Sequence, residues 1–238
     1  MQNKKPNIID LEICNQKLLN MNAQERIEWG YDIFNEDFAL TTSFGLQSSV
    51  LLHLIQNSKI KDKVKIFWID TGYLPPETYI YANKLIKLLS LKVEVLQSHL
   101  SPARMEAVYG KLWENKNYGD LEKYHRIRKI DPLENGLSKY SIKCWVSGVR
   151  AEQTNNRSKM KVIDQIRNRY SLRPLLGWTK KEVFYYMKDK DLPQHPLFLQ
   201  GYSSVGDWHS STPESEDTQG RKTRFGGIKE ECGLHTED

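Results

Sequence analysis

Cysteine is scarce in this sequence. Only Cys14, Cys144 and Cys232 occur among its 238 residues, and their wide spacing matches neither paired zinc-ligand motifs nor a redox couple within one loop. We therefore expect three reduced thiols, and a disulfide-stabilised scaffold is excluded. A chain of this length does not need one, because it can bury a substantial hydrophobic core by itself.

Long apolar runs are also absent. The mean hydropathy is negative and no stretch reaches the length of a transmembrane helix, which excludes a membrane span. The first ten residues carry two lysines without an apolar core or a small-residue cleavage site, so we predict no secretory signal and a cytoplasmic location. The net charge of +5 is small and dispersed. It favours anionic partners, and a phosphorylated small molecule fits as well as nucleic acid.

What is present is a repeated pattern of short apolar runs and helix-period segments. Strands are predicted over residues 38–43, 65–69, 92–96 and 142–147 and near Ser171. Helices are predicted over residues 23–34, 102–109, 132–139 and 179–190, and from about Ser49 and Pro76. This alternation predicts an α/β fold, in which helices on both faces cover a twisted, parallel sheet.

The periodicity fades from Leu197 onward. Glycine, serine and threonine become frequent there, around the acidic run 214–217, which predicts an irregular and mobile C-terminal segment. We therefore divide the chain into an α/β domain over residues 1–200, including an N-terminal helical segment, and a tail over residues 201–238.

The loop after the first predicted strand suits an anion. It contains Ser43, Phe44, Gly45, Ser48 and Ser49 and precedes a predicted helix, and open α/β sheets bind ligands beyond the carboxyl ends of their strands. The glycine permits close backbone approach, the serines offer hydroxyl donors and the helix N-terminus offers unpaired amides. An ordinary serine-rich turn with a helix cap is the alternative. The loop has no lysine, which disfavours a Walker-type ATPase.

The second predicted strand ends at a turn formed by Asp70, Thr71 and Gly72. Asp70 and the backbone around Gly72 are candidates to bind a ribose or an adenine edge beside the first loop. A purely structural Asp-Gly turn is the alternative.

A third loop, beyond the predicted strand 142–147, carries Arg150, Gln153 and Arg157. It is expected at the same edge of the sheet, where two guanidinium groups can bind anionic oxygens bidentately. Solvated surface arginines are the alternative.

Five sequence blocks between Ser43 and His235 occur in the order found in adenylyl-sulfate and phosphoadenylyl-sulfate (PAPS) reductases. They read SFGLQSS, IDTGYLPPETY, GVRAEQTNNR, LPQHPLFLQGYSSVGDWHSST and KEECGLH. The chain therefore resembles the PAPS reductase family. The resemblance implies an adenine nucleotide α-hydrolase-like fold whose three loops surround the nucleotide, and an oxidoreductase of sulfate assimilation and cysteine biosynthesis.

The iron-sulfur branch of this family carries four cluster cysteines, and none has a counterpart here. Tyr124 and His125 stand at the first pair of positions, and Asp207 and Ser210 stand at the second. A cubane cluster needs such thiolates. The resemblance therefore implies the cluster-free branch, with no bound cofactor or metal, which mostly uses PAPS. A cluster-free enzyme that acts on adenylyl sulfate (APS) is the alternative.

The resemblance assigns the sulfur chemistry to Cys232, with His235 three residues later. Only the thiolate is a competent nucleophile, so nearby cations that lower the thiol pKa and neutralise the substrate are expected to help. The candidates, which also complete the predicted substrate-binding set, are Lys129, Arg221, Arg224 and Lys229. We hypothesise that Cys232 becomes activated when the tail closes over the nucleotide, because the adjoining Glu230 and Glu231 oppose thiol ionisation.

The expected cycle passes through an S-sulfocysteine and needs an external reductant. No second cysteine lies near Cys232 to resolve the intermediate, so a separate dithiol protein, thioredoxin or glutaredoxin, is required unless the partner subunit of a dimer supplies the thiol. A homodimer is implied by the resemblance alone.

Two other functions stay open. A nucleotide-transferring relative on the same fold, such as a sulfate adenylyltransferase subunit, would use ATP and have no use for Cys232. A non-catalytic adenine-nucleotide or nucleic-acid binding module is supported only by the positive charge, and we predict no nucleic-acid partner. His195 and His209 lack metal-ligand spacing and are assigned to packing or to hydrogen bonds beside the substrate.

Overall fold

A computed structural model describes residues 9–115, 117–227, 231 and 233–235. One sheet contains six strands: Phe38–Thr42 (β1), Lys65–Ile69 (β2), Val93–Leu96 (β3), Cys144–Val146 (β4), Ile163–Ile166 (β5) and Arg169–Leu172 (β6). The α-helices of the described residues are Leu11–Leu19 (α1), Ala23–Phe34 (α2), Ser48–Gln56 (α3), Pro76–Leu88 (α4), Pro102–Tyr109 (α5), Tyr118–His125 (α6), Asp131–Lys139 (α7), Asn155–Ser158 (α8) and Lys180–Asp189 (α9). None of these helices combines the length and the apolar character that a bilayer crossing requires.

The sheet has the strand order β3-β2-β1-β4-β6-β5. Parallel pairing joins β3, β2, β1, β4 and β6, and β5 pairs with β6 in the antiparallel direction. The chain runs outward from β1 through β2 to β3, and then returns to place β4 on the other side of β1. Ligands of open α/β sheets bind at such a reversal, outside the carboxyl ends of the two adjacent strands.

Alternate residues of the central strands face opposite sides of the sheet. Leu40 and Val146 belong to the larger apolar cluster, to which α2, α3, α4 and α9 contribute. Phe67 and Trp145 face the other side, where Leu137 of α7 packs on them. Helices therefore cover both faces, and the predicted α/β fold class is confirmed.

Most predicted elements are observed with ends shifted by at most two residues, and the predicted parallel sheet gains one antiparallel strand at its edge. Strand β5 was not predicted, and a two-residue turn joins it to β6. Arg167 and Asn168 form this turn with φ values of 46° and 61°. Two positive φ values are typical of a two-residue hairpin turn, and glycine is the usual sequence signal of such a turn. Because arginine occupies the first position of this turn, the sequence lacks that signal.

Helices α6 and α7 are joined by a π turn, Arg126–Ile130. Pro132 has no N–H to donate to the carbonyl of Arg128, so the α-helical ladder is interrupted where the π turn lies. The turn places Arg128 and Lys129 in the interior, where they are 2% and 8% exposed. A solvated helix face is therefore excluded for these two residues.

The segment beyond α9 is irregular, as predicted. Within the described residues it contains short 3-10 turns at Pro196–Gln200, Trp208–Ser210, Gly220–Thr223 and Phe225–Gly227. It nevertheless packs on the domain, because the Trp208 amide donates to the Tyr73 carbonyl at 2.8 Å. Its mobility stays a prediction.

His195 belongs to the same irregular segment and has no exposure to solvent. Its Nε2 is 3.0 Å from Thr78 Oγ1, and its Nδ1 accepts a hydrogen bond from the Leu197 amide at 3.2 Å. Protonation of Nδ1 would break the second bond. Burial therefore lowers the pKa of His195 to about 4, against a small opposing effect of Glu77.

The buried His195 predicts acid sensitivity of the fold. Between pH 6.5 and about pH 4 the unfolded chain binds a proton at His195 that the folded chain does not, so the free energy of unfolding falls as the pH falls through this window. The contribution is at most about 3 kcal/mol. Urea unfolding at several pH values should show a shallower pH dependence for His195→Gln than for the wild type. Equal slopes for the two proteins would contradict the assignment.

Candidate active site

The reversal between β1 and β4 holds a cavity of about 240 Å³. The end of β1, the residues after β4 and the irregular segment 203–207 form much of its wall. Of the predicted site residues, those that line it are Ser43, Gly45, Ser48, Thr71, Lys129, Gln153, Arg157, Arg221, Arg224 and His235. The structure thus brings together side chains from all three predicted loops and from the C-terminal segment.

The first loop presents Ser43, Gly45 and Ser48 to the cavity. Helix α3 begins at Ser48, and no side-chain hydrogen bond from the N-cap residue Gln47 covers the amides of its first turn. Such amides attract anions. The Ser48 hydroxyl donates to the Gly45 carbonyl at 2.8 Å and stabilises the turn. Ser49 is fully buried and lies outside the cavity lining.

Phe44 shapes this loop and does not line the cavity. Its φ of 47° lies in the left-handed region, which residues with a Cβ rarely adopt. Its buried ring packs edge-on against Trp68 at 4.9 Å between centroids, and its amide donates to Thr42 Oγ1 at 3.1 Å. These contacts hold the strained backbone, so Phe44 supports the loop from behind.

Within the Asp-Thr-Gly turn, only the threonine lines the cavity. Asp70 accepts hydrogen bonds from the Gly72 amide, the Tyr79 hydroxyl and Gln97 Nε2 at 2.9, 2.7 and 2.8 Å. With three donors bound, and outside the cavity lining, its carboxylate stabilises the turn, as the structural alternative proposed. Gly72 has a φ of 74° that glycine adopts readily, and it too lies outside the lining. Thr71 does line the cavity.

The arginine loop is buried. Arg150 and Arg157 are each 5% exposed, so the alternative of solvated surface arginines is excluded. Gln153 and Arg157 line the cavity, whereas Arg150 lies behind it and donates to the side chains of Gln47 and Glu152. Arg150 thereby ties the third loop to the first.

The first of two carboxylates among the cations of the cavity is Asp207. It accepts from Lys129 Nζ at 2.7 Å and from Thr71 Oγ1 at 2.5 Å. Burial by itself raises the pKa of Asp207, but the charges of Lys129 and Arg224 outweigh this effect and hold the pKa well below its usual range. A Cβ on the neighbouring Gly206 would overlap the Arg224 guanidinium, so only glycine allows this close packing.

The second carboxylate belongs to Glu231. It accepts from Nε and Nη2 of Arg157, both at 2.8 Å, and from Thr154 Oγ1 at 2.8 Å. Its Oε2 is 3.9 Å from the Arg221 guanidinium. Burial raises the pKa of Glu231, but Arg157 and Arg221 lower it overall. The charge of Glu231 is therefore balanced by arginine, which weakens its expected opposition to ionisation of a neighbouring thiol.

His235 stacks on Trp145 of β4, with ring centroids 5.2 Å apart. Burial lowers the pKa of His235 far below its ordinary value, and four guanidinium groups lower it further: Arg157, Arg173, Arg221 and Arg167. The imidazole is therefore neutral at physiological pH and supplies no positive charge that would lower a thiol pKa.

Cys232 and Lys229 lie outside the described residues. The residues on either side of Cys232 are described, and both contact the domain. Glu231 binds Arg157, and the Gly233 carbonyl accepts from Arg167 Nη1 at 3.1 Å. The predicted roles of Cys232 and Lys229 stay predictions.

Three functional candidates escaped the sequence analysis. Ser147 follows β4, lines the cavity, and its buried hydroxyl has no hydrogen-bond partner in the described structure. The position after a central parallel strand could have signalled it. Asp207 and Thr154 carried no such signal, because their importance depends on Lys129 and Glu231, which are distant in sequence.

The positions of the missing cluster thiolates do not fit an iron-sulfur cluster. Tyr124, His125, Asp207 and Ser210 offer no sulfur ligand. Within the described ranges, no group of three or more histidine, cysteine, aspartate or glutamate side chains is arranged to hold a metal ion. His209 packs in this region, where its Nε2 lies 3.0 Å from the Tyr124 hydroxyl.

Comparison with known proteins gives consistent matches. Residues 37–213 match the model of the phosphoadenosine phosphosulfate reductase domain. The phosphoadenosine 5'-phosphosulfate reductase of a Synechococcus strain is 46% identical over 222 residues, which cover 93% of this chain and 95% of that protein. The corresponding protein of a Synechocystis strain is 46% identical over 228 residues, which cover 95% and 91%. A crystal structure of PAPS reductase from Candida auris, in complex with phosphate, aligns with a TM-score of 0.73 at 25% identity, covering 85% of this chain and 96% of that one.

The unpartnered Ser147 hydroxyl predicts a ligand contact. Ser147→Ala is expected to weaken the binding of adenosine 5'-monophosphate by about tenfold to a hundredfold, since a hydrogen bond to a charged group contributes about 1.5–3 kcal/mol. The melting temperature should not fall, because no internal hydrogen bond is lost. Isothermal titration calorimetry and thermal denaturation measure the two effects.

Ser171 provides a matched control. Its hydroxyl is also buried and without a hydrogen-bond partner in the described structure, but it does not line the cavity. Ser171→Ala should bind the nucleotide as the wild type does. Equal affinities for all three proteins would exclude the role assigned to Ser147.

Proposed function

Because this chain belongs to the phosphoadenosine phosphosulfate reductase family, we propose that it reduces PAPS to sulfite and adenosine 3',5'-bisphosphate, with thioredoxin or glutaredoxin as the reductant. One observation carries the proposal beyond family membership. The residues that flank Cys232 are bound beside a cavity that is lined, among the described residues, by four cations: Lys129, Arg157, Arg221 and Arg224. A nucleotide carrying phosphate and sulfate groups matches this charge.

In the first step the Cys232 thiolate attacks the sulfur atom of the sulfonate group. A sulfur–sulfur bond forms, and the bond between this sulfur and the bridging phosphate oxygen breaks. The electron pair of the broken bond leaves with adenosine 3',5'-bisphosphate. The protein retains an S-sulfocysteine, and fixed cations stabilise the charge that accumulates on the leaving phosphate.

In the second step a thiolate of the dithiol protein attacks the sulfur atom of Cys232. Sulfite leaves with the electron pair of the sulfur–sulfur bond, and a mixed disulfide forms between the two proteins. The second thiol of the partner then resolves this disulfide and returns Cys232 to the thiol form. The dithiol supplies both electrons, and this chain needs no bound redox cofactor for them.

The cavity residues divide this work. Ser43, Ser48 and the positive end of the α3 dipole bind phosphate, and Lys129 and Arg224 neutralise the anhydride. His235 contributes as a neutral group that packs on Trp145. We also propose that residues 201–238 act as the catalytic tail of the nucleotide-binding domain 1–200, in a cytoplasmic homodimer.

The decisive experiment incubates the protein with PAPS and no reductant. Intact-mass analysis should show one sulfonate adduct, peptide mapping should place it on Cys232, and added thioredoxin should release it as sulfite. Cys232→Ser should form no adduct and no sulfite. Cys14→Ser is the matched control and should keep the wild-type rate. An adduct on another residue, or sulfite release by Cys232→Ser, would contradict the mechanism.

The same assay decides between PAPS and APS. We expect the adduct to form at least tenfold faster from PAPS at equal low concentration, because the 3'-phosphate adds charge that the cationic cavity can bind. A faster reaction with APS would assign the chain to the APS alternative.

The contact between Glu231 and Arg157 predicts a slower first step when it is weakened. Glu231→Gln loses a bidentate, charge-assisted interaction that holds the residue next to Cys232. Single-turnover adduct formation should slow by roughly tenfold, the equivalent of about 1.4 kcal/mol. Glu214→Gln is the control, because Glu214 accepts from the Gly220 amide in the same segment and lies outside the cavity lining. A faster reaction of Glu231→Gln would mean that repulsion of the thiolate outweighs the anchoring.

A further inference from the structure

A fully buried carboxylate in a cavity lined by cationic side chains needs an explanation. The side chain of Asp207 is 0% exposed, and that of its ion-pair partner Lys129 is 10% exposed. Removing a charge from water is costly and is compensated only by close partners. Asp207 also lowers the positive charge that the cavity offers to an anion. Such a residue should therefore contribute something other than the affinity for the ligand.

Asp207 stands at a position where the iron-sulfur branch of the family carries a cluster thiolate. The other three positions, Tyr124, His125 and Ser210, belong to the same region of this structure. His209 lies 3.0 Å from the Tyr124 hydroxyl, and burial together with the charge of Asp207 raises the pKa of Tyr124. In the described structure, the carboxylate of Asp207 is the anionic group at this place.

Lys129 depends on this carboxylate for its position. A lysine ammonium group is a point charge on a flexible stem with three N–H donors. The hydrogen bonds of the described residues use one of these donors, toward Asp207 Oδ2 at 2.7 Å. Thr71 Oγ1 donates to Oδ1 of the same carboxylate at 2.5 Å and fixes its orientation. The ammonium is thereby held at the cavity wall, and the geometry leaves its other donors for a ligand.

We infer that Asp207 is a positioning residue that holds the Lys129 ammonium where charge develops on the leaving phosphate. The inference rests on the proposed function. A prepositioned charge stabilises a transition state without reorganisation, whereas a mobile charge only adds to the attraction for the ligand. Loss of Asp207 should therefore slow the chemistry and not weaken binding.

The test is Asp207→Asn, which keeps an acceptor for Thr71 and loses the charge that holds Lys129. Single-turnover adduct formation on Cys232 at saturating PAPS should slow by roughly tenfold, as when a supporting partner of a binding group is removed. The dissociation constant of adenosine 3',5'-bisphosphate should stay the same or decrease, because a negative charge has left the cavity. A purely structural role would instead weaken binding and slow the reaction together.

A double-mutant cycle with Lys129→Met shows whether Asp207 acts through Lys129. In the Lys129→Met background, Asp207→Asn should leave the single-turnover rate unchanged. The same rate reduction in both backgrounds would overturn the inference, as would an unchanged rate of Asp207→Asn in the wild-type background. Asp37→Asn is the control, since Asp37 pairs with Lys143 at the same distance of 2.7 Å but near the amino ends of β1 and β4. It should change neither the rate nor the affinity.

If Asp207→Asn is too unstable to assay, a double variant still tests the inference. The single variant leaves an unpaired buried ammonium, whereas Lys129→Met/Asp207→Asn leaves no buried charge of this pair and should fold better. The rate of this double variant must then equal that of Lys129→Met, and a further decrease would refute the inference. If wild-type protein forms no adduct, the proposed function itself is wrong, and that result is distinct from a normal wild type with unaffected variants.

Discussion

The parallel pairing of β4 with β1 is the constraint on which the rest of the structure depends. The chain reverses direction across the sheet at this pair, so the connections that follow the two strands separate and leave a cavity at their carboxyl ends. The serine loop follows β1 and the arginine loop follows β4. Residues more than a hundred positions apart therefore line the same space, and the irregular C-terminal segment completes its wall.

Such a cavity must hold several cations close together before any anion binds, and two internal carboxylates make this possible. Asp207 pairs with Lys129, and Glu231 pairs with Arg157. Each pair reduces repulsion among the cations and fixes the direction of one charged group. The net positive charge of the cavity is therefore smaller, but the side chains that carry it are held in fixed directions. Positive charge alone increases the affinity for a polyanionic nucleotide. Cations fixed where charge develops in the transition state increase the reaction rate.

Sequence patterns predicted the helices and parallel strands of the core well, because each buries an apolar face with a regular period. They did not predict two features that depend on an unusual backbone conformation, the Arg167–Asn168 hairpin turn and the π turn before Pro132. The loops of the site were found from residue types and from the family resemblance. Asp207 and Glu231 were not recognised as ion-pair partners, since a carboxylate reveals its role only when the distant cation it contacts is known.

The neutral state of His235 bears on how this site can activate a thiol. An imidazolium supplies positive charge only below its own pKa. Arginines keep their charge at every physiological pH, and those around His235 suppress its protonation. The field at the end of the chain is therefore set by guanidinium groups and is independent of pH over the range in which a cysteine ionises. Such a constant field suits a site that must stabilise a thiolate and a leaving phosphate in the same step.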